Sequence, residues 1–217
     1  MTKQIIALGL ALLSVSIGAQ AKSSKDQNDG HRSRPVYGDN IIRFNPLTAM
    51  DIGTGPGISY EHIFGEDKNI GLVLPFSLLL SDENDGYYNN GNTRYATYFY
   101  FTPGLKFYPF GQRRCTYAIG PNLMLGYGGG ERTESQYDPL TQSYYLEQFK
   151  TRVFRLGILV NNYFNFQVTP AFNIGAALGL GARYIDHETR TSGGHDVSYN
   201  NPIAITGQFT LSIGYRF

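Results

Sequence analysis

The residue types best suited to chemistry are gathered in one polar segment near the end of the chain, "DHETRTSGGHDVS", at 186–198. It contains carboxylates, imidazoles and hydroxyls at Asp186, His187, Glu188, Ser192, His195, Asp196 and Ser198. A serine or histidine activated by a nearby base is the arrangement that nucleophilic enzymes use. However, the spacing matches no nucleophile–base signature, and Ser, Asp and Gly are common wherever the chain turns. The segment therefore leaves an enzyme as an alternative and does not by itself predict one.

Metal binding is the second chemistry that the residue types allow. His187 and His195 would offer imidazoles beside carboxylates, a donor set that suits transition metals. The segments "DQNDG" at 26–30 and "DENDG" at 82–86 resemble the start of a calcium loop, but Gly stands where the third ligand belongs. Neither segment has the closing Glu at the required spacing. Turn formation explains both, so the sequence predicts no metal site and no cofactor.

Residues 1–21 have the features of a secretory signal peptide. One Lys precedes an apolar run from Ile5 to Ile17, and Ala19-Gln20-Ala21 provides a cleavage site of the small-x-small type. An uncleaved anchor helix is the alternative, but it needs about 20 apolar residues and this run is shorter. We expect an exported protein that starts at Lys22, with a flexible, polar periplasmic leader at 22–39.

The composition excludes two other classes. The chain has 18 Lys and Arg against 17 Asp and Glu, so its charge gives no reason to expect a nucleic-acid partner. Cys115 is the only cysteine, which excludes an intramolecular disulfide. The length suits a single all-β domain, including a closed barrel.

Residues 40–217 alternate between apolar and polar side chains, which is the period of a β-strand. Turn residues divide this region into eight predicted strands, at 40–51, 57–64, 69–80, 94–109, 115–128, 150–168, 173–186 and 202–217. Short turns at 65–68, 110–114 and 169–172 alternate with long polar loops at 81–93, 129–148 and 187–201, and a short connection at 52–57 lies at the long-loop end. An even number of strands with this asymmetry is typical of an outer-membrane barrel. The predicted fold is all-β: an eight-stranded antiparallel up-and-down transmembrane β-barrel at 40–217.

The two faces of the strands indicate which one meets lipid. In the seventh predicted strand, Ile174, Leu178, Leu180 and Tyr184 share one face, and the other face carries mainly Gly and Ala. A soluble barrel would show charged side chains to water, whereas small residues suit the narrow interior of eight strands. The apolar face is therefore predicted to contact lipid.

A few long polar side chains are predicted to point into this interior and form a lumen charge network. They are Arg43, Glu61, Lys106, Arg155, Arg183 and Arg216. Glu61 is the only acid among them, so we expect it to bridge two or more of the cations, because a buried charge is costly unless it is paired. Inward residues such as Asn45, Asn161 and Tyr100 are expected to supply further hydrogen bonds.

Aromatic residues fall near both ends of the predicted strands, and aliphatic residues lie between them. Phe64, Phe107, Tyr117, Phe166 and Tyr215 lie towards the short turns, and Tyr95, Tyr127 and Tyr184 lie towards the long loops. Two such bands are typical of interfacial girdles. The alternative is that aromatic residues are simply frequent in strands.

The last predicted strand, "ITGQFTLSIGYRF", places Ile205, Phe209, Leu211 and Ile213 on one face. It must pair with the first strand, because a spanning sheet cannot leave an unsatisfied edge in hydrocarbon. The segment resembles the C-terminal signal of Gram-negative outer-membrane proteins, which the barrel-assembly machinery reads. Tyr215 and Phe217 match its aromatic positions, while Ser212 replaces the usual Gly.

Three longer segments carry a wider resemblance: "ISYEHIFGEDKNIGL", "TPGLKFYPFG" and "NNYFNFQVTPAFNIGAALGLGARYI". They resemble a family of small Gram-negative outer-membrane β-barrel proteins of unassigned activity, with OmpA/OmpX-like architecture. The resemblance implies an outer-membrane monomer in contact with membrane lipid and lipopolysaccharide. It describes architecture and not chemistry.

Three functions are compatible with such a barrel. The first is a non-catalytic protein whose loop tyrosines contact an extracellular partner, since Tyr among small polar residues makes an adaptable contact surface. These tyrosines are Tyr87, Tyr88, Tyr137, Tyr144, Tyr145 and Tyr199, and the alternative is that they only shield the barrel. The second is a lipopolysaccharide-modifying enzyme, an activity that some small outer-membrane barrels have. The third is a small-solute channel, which the long inward side chains disfavour.

Overall fold

The computed structural model describes residues 37–50, 53–65, 68–82, 95–138 and 142–217. The strands are β1 (Asn40–Met50), β2 (Gly53–Phe64), β3 (Ile70–Asp82), β4 (Tyr95–Phe101), β5 (Gly104–Phe107), β6 (Cys115–Asp138), β7 (Ser143–Gln167), β8 (Phe172–Ser192), β9 (His195–Asn200) and β10 (Ala204–Arg216). Within these ranges, no helix is long and apolar enough to cross a membrane.

The described strands close into a barrel. Each strand pairs antiparallel with its neighbours, and β10 pairs with both β1 and β8, so the first and last strands meet. Asn40 and Phe217 exchange backbone hydrogen bonds of 3.0 and 2.9 Å at this seam. β4 and β5 together make one strand of the barrel wall, and β9 is not counted in the wall because it pairs only with β8. The described part therefore has eight wall strands. The predicted fold and the pairing of the last strand with the first are confirmed.

Proline accounts for two differences from the predicted strands. The strand predicted at 94–109 is divided into β4 and β5 by Thr102 and Pro103, because proline cannot donate to the ladder. The connection predicted at 52–57 is shorter in the structure, since β1 ends at Met50 and β2 already begins at Gly53. There the register with β1 shifts between Asn45 and Thr48, opposite Pro56, so the proline lies at a β-bulge.

Two of the predicted long loops are β-hairpins. β6 and β7 stay paired from the barrel wall up to Asp138 and Ser143, and β8 and β9 stay paired up to Ser192 and His195. The prediction of loops at 129–148 and 187–201 is therefore wrong for most of both segments. Polar residues on both faces are typical of loops. They also suit paired strands that continue above the membrane, because both faces of such strands meet water. The loop predicted at 81–93 has only 81 and 82 inside the described ranges, both in β3.

The outer surface of the barrel is apolar. More than one third of the side-chain surface is exposed at Ile58, Leu72, Phe107, Leu123, Ile158, Phe166, Ile174, Leu180, Tyr184, Ile213 and Tyr215. These residues alternate along the strands with buried ones, as the burial pattern of β10 shows most regularly. An outer surface of this composition would be unfavourable in water, because its apolar area far exceeds that of an ordinary surface patch. The surface is suited to a bilayer.

The interior is filled by side chains in two halves. At the hairpin end, Leu79, Tyr98, Tyr100, Met124 and Leu159 belong to one buried cluster. At the short-turn end, a second cluster contains Ile41, Ile63, Tyr108, Ala118 and Tyr163. Small inward residues make room for the large ones: a Cβ at Gly126 would lie 2.5 Å from the Tyr100 ring. The interior thus contains more large apolar side chains than the sequence analysis expected.

Candidate functional site

Glu61 stands at the centre of a buried ion cluster in the short-turn half of the barrel. Its side chain is fully buried, and its Oε2 accepts hydrogen bonds from Arg43 Nη1 at 2.5 Å and Lys106 Nζ at 2.7 Å. The hydroxyl of Tyr108 donates to its other oxygen, and Arg43 Nε donates to Asn173 Oδ1 at 3.3 Å. Lys106 also lies 4.1 Å from the centre of the Tyr163 ring. These contacts join five strands, β1, β2, β5, β7 and β8, and the cluster carries one surplus positive charge.

A second ion cluster lies in the hairpin half and contains Arg155, Arg183 and Asp186. Arg155 Nε is 3.4 Å from Asp186 Oδ1, and Arg183 Nη1 is 3.1 Å from Asp186 Oδ2. Arg155 also donates to the Tyr100 hydroxyl at 2.9 Å and lies over the Tyr98 ring. Arg155 and Arg183 thus form ion pairs with Asp186.

The sequence pattern places Asp186 at the end of the predicted strand 173–186, among the possible catalytic residues and not in the lumen charge network. The reason is a register shift in β8: Leu156 pairs with Ile185, but the next residue, Gly157, pairs with Arg183. The extra residue, Tyr184, reverses the alternation, so that Arg183 and Asp186 face the same side. A single bulge of this kind leaves no clear signal in a sequence with apolar residues at both 184 and 185.

Arg216 lies apart from both clusters, at the short-turn mouth. Its Nε donates to the Gly38 carbonyl at 2.6 Å, and its Nη1 donates to Gln112 Oε1 at 3.0 Å. Its guanidinium lies 4.9 Å from the Tyr37 ring centre. Residues 37–39, which the sequence analysis assigned to the leader, therefore contact the barrel mouth.

Beside Arg43 and Lys106 of the Glu61 cluster lies a cavity of about 40 Å³, which Asn45, Asn161 and Gln208 line together with apolar residues. Buried side-chain oxygens of Asn45 and Asn161 have no hydrogen-bond partner within the described part of the protein. The cavity has room for one or two waters, which would satisfy these atoms. It is too small for an organic solute.

The tyrosines predicted to make external contacts are distributed unevenly. Tyr144 is 71% exposed near the tip of the β6–β7 hairpin, and Tyr199 is 48% exposed on β9. Tyr137 pairs with Tyr144 through the backbone, but the side chains of Tyr137 and Tyr145 lie outside the described part. Tyr87 and Tyr88 lie entirely outside the described residues.

The residues that raised the possibility of catalysis are spread along the β8–β9 hairpin. His187 Nδ1 is 2.7 Å from Asn200 Oδ1, and Asp196 accepts a hydrogen bond of 2.6 Å from Thr191. Ser192 and His195 pair directly at the exposed tip. Asp186 is in the lumen and does not extend this pair into a triad. In the described ranges, no three His, Cys, Asp or Glu side chains are grouped closely enough to hold a metal ion.

Arg190 connects the upper part of this hairpin to β7. Its Nε donates to Glu188 Oε1 at 2.7 Å, while its guanidinium lies 5.0 Å from the Phe149 ring and 5.4 Å from the Tyr199 ring. The contact joins β7, β8 and β9 above the barrel wall. The two hairpins are therefore connected by side chains as well as by the β7–β8 ladder.

Comparisons with known proteins identify the fold. No protein-family model and no curated protein matches the chain. Among solved structures, a major outer membrane protein from Thermus thermophilus aligns with a TM-score of 0.58 at 14% identity, covering 82% of this chain and 99% of that one. The outer membrane protein AlkL, determined in lipid bilayers, gives 0.55 at 11% identity and covers 90% and 97%. OprG from Pseudomonas aeruginosa gives 0.53 at 14% identity and covers 85% and 98%.

These similarities, together with the apolar exterior, define the class of protein. The chain has the fold of the small outer-membrane β-barrels, with an OmpA/OmpX-like architecture. At identities this low, the similarity concerns the fold alone and assigns no activity.

Proposed function

We propose that this protein is a non-catalytic, monomeric outer-membrane barrel that uses its two projecting hairpins to contact a partner outside the cell. The observation that carries this proposal is the continuation of β6, β7, β8 and β9 as paired strands beyond the barrel wall. Segments of this length are not needed to close the barrel. They are the part of the chain that a partner in the medium would meet first.

The hairpins combine a fixed backbone with exposed aromatic side chains, which favours binding. The Arg190 contacts with Phe149 and Tyr199 fix the position of one hairpin against the other. A preorganised surface loses less conformational entropy when it binds than a flexible loop does. Exposed Tyr144, Tyr199 and Val197 supply contact area on this surface.

The filled interior argues against the channel alternative. Each half of the described lumen contains a buried apolar cluster as well as an ion cluster, and the cavity lined by Arg43 and Lys106 measures only about 40 Å³. We therefore assign the interior charges a structural role. Assembly would depend on the barrel-assembly machinery and on outer-membrane lipid, with lipopolysaccharide as the surrounding medium on the outer side.

The enzyme alternative depends on Ser192 and His195 at the hairpin tip. Among the described residues, the carboxylate next to His195 in the chain is Asp196, which accepts a hydrogen bond from Thr191 and so is not placed to orient the imidazole. Both residues also lie far beyond the apolar band, whereas an enzyme acting on acyl chains must reach the membrane. A non-catalytic role fits this geometry better.

The test compares a deletion strain, the strain restored with wild type, and a strain carrying a shortened hairpin. In the shortened form, 132–149 are replaced by Asn-Gly, so that the direct partners Glu131 and Lys150 flank a two-residue turn. We expect unchanged lipid A by mass spectrometry in all strains. We also expect attachment to arrays of immobilised glycans and matrix proteins to be lost in the deletion and shortened strains. Altered lipid A that returns with wild type, but not with Ser192→Ala or His195→Ala, would show an enzyme instead.

A further inference from the structure

The outer face of β7 changes from apolar to basic where the strand leaves the barrel wall. Ile158 and Phe154 point outward and are exposed, and the next outward residues are Arg152 and then Lys150. Successive outward residues are about 6.6 Å apart along a strand. Two cations therefore follow directly above the apolar band on one strand.

The neighbouring strands show that this position lies at the membrane interface. Phe154 pairs with Tyr127 on β6 and with His187 on β8. Tyr127 is 58% exposed and belongs to the aromatic girdle expected at the hairpin end. Arg152, two residues further on, pairs with Gly129 and Thr189. Arg152 is exposed, and its place two residues above Phe154 puts it at the level of lipid headgroups.

The two cations are available to an external anion. Arg152 has no ion-pair partner among the described residues, unlike Arg155, Arg183 and Arg190. Lys150 lies 3.8 Å from Glu131, but their side chains are 73% and 56% exposed. An ion pair as exposed as this one contributes little and exchanges readily for a stronger partner.

We propose that Arg152 and Lys150 bind a phosphate group of lipid A, the phosphorylated glycolipid of the outer leaflet. Charge complementarity supports this occupant, because guanidinium and phosphate form paired, charge-assisted hydrogen bonds. Continuity with the apolar band supports it as well: the acyl chains of the same molecule would lie on Phe154, Ile158 and Tyr127 below the phosphate. A soluble anion would gain nothing from these apolar neighbours. This inference requires only the outer-membrane location and not the external partner.

The test is native mass spectrometry of the full-length barrel in detergent, titrated with lipid A and with lipid A from which both phosphates have been removed. We expect wild type to bind the phosphorylated form at least about tenfold more tightly. The double variant Arg152→Gln, Lys150→Gln should lose this preference. Arg113→Gln, which removes an exposed cation from the short turn at the opposite end, should keep it.

Two results would overturn the proposal. One is equal binding of the two lipids by wild type, which needs no variant and is independent of folding. The other is a double variant that retains the full preference for phosphate. Because Arg152 and Lys150 are exposed, the variants are expected to fold, and a barrel that keeps its strand-dominated far-ultraviolet spectrum would show that they do. Loss of surface attachment has no bearing on either result.

Discussion

Glu61 is the residue on which the charge balance of the short-turn half depends. It is fully buried and is the carboxylate partner of both Arg43 and Lys106. Glu61→Gln keeps the shape of the side chain but leaves these two cations without a countercharge. We expect a loss of about 3–5 kcal/mol in the free energy of unfolding, the usual cost of breaking a buried ion pair. Urea unfolding of the barrel in lipid vesicles measures this difference.

A matched control separates burial from charge. Asp39→Asn removes a carboxylate from the Asp39–Lys68 pair, whose atoms are 2.6 Å apart but whose side chains are 43% and 36% exposed, respectively. This change should cost less than about 1 kcal/mol. If Glu61→Gln and Asp39→Asn destabilised the barrel equally, the buried cluster would not have the role assigned to it.

Single residues also show where sequence reasoning reaches its limit. The inward positions of Arg43, Glu61 and Lys106 follow from a strict period of two, so their meeting could be anticipated without coordinates. The role of Asp186 could not be anticipated, because a bulge at Tyr184 reverses the inward–outward alternation within β8. One inserted residue thus turns the carboxylate of Asp186 from the outward side of the strand into the lumen, where it pairs with Arg155 and Arg183.

At the scale of elements, the hairpins and the barrel wall differ in what stabilises them. The wall strands pair on both sides, whereas the upper part of β6 and β7 pairs only with itself. An isolated two-stranded ribbon is at best marginally stable in water. Replacing 132–149 by Asn-Gly should therefore leave the barrel folded, with a smaller loss of stability than Glu61→Gln causes. Thermal unfolding followed by far-ultraviolet circular dichroism provides the comparison.

If replacing 132–149 lowered the stability as much as Glu61→Gln does, the hairpin would unfold cooperatively with the barrel. A suitable control is Arg190→Gln, which keeps both hairpins but removes the guanidinium between Phe149 and Tyr199. It should loosen the hairpins without changing the barrel. Proteolysis at the hairpins would then increase while the unfolding midpoint of the barrel remains that of wild type.

Elements were predictable where one face of a strand meets lipid. There the apolar alternation marks β7, β8 and β10 clearly, and their pairing into a meander follows from the short turns. Above the membrane both faces meet water, the alternation disappears, and paired strands at 129–138 and 143–148 resemble polar loops. The sequence therefore predicts the barrel wall well, and it does not predict the paired strands that we assign to partner binding.

At the scale of the whole molecule, the closed barrel wall and the side chains that fill its interior both lower the permeability to ions. The β1–β10 seam leaves no gap in the described wall, and side chains from opposite strands meet inside it. In planar bilayers, wild-type protein should therefore give no steady unitary current, in contrast to a porin reconstituted in the same way. The double variant Tyr98→Ala, Met124→Ala empties part of the hairpin half and should raise the current above wild type. Steady wild-type currents that disappear on unfolding would show that the lumen conducts and that the channel alternative is correct.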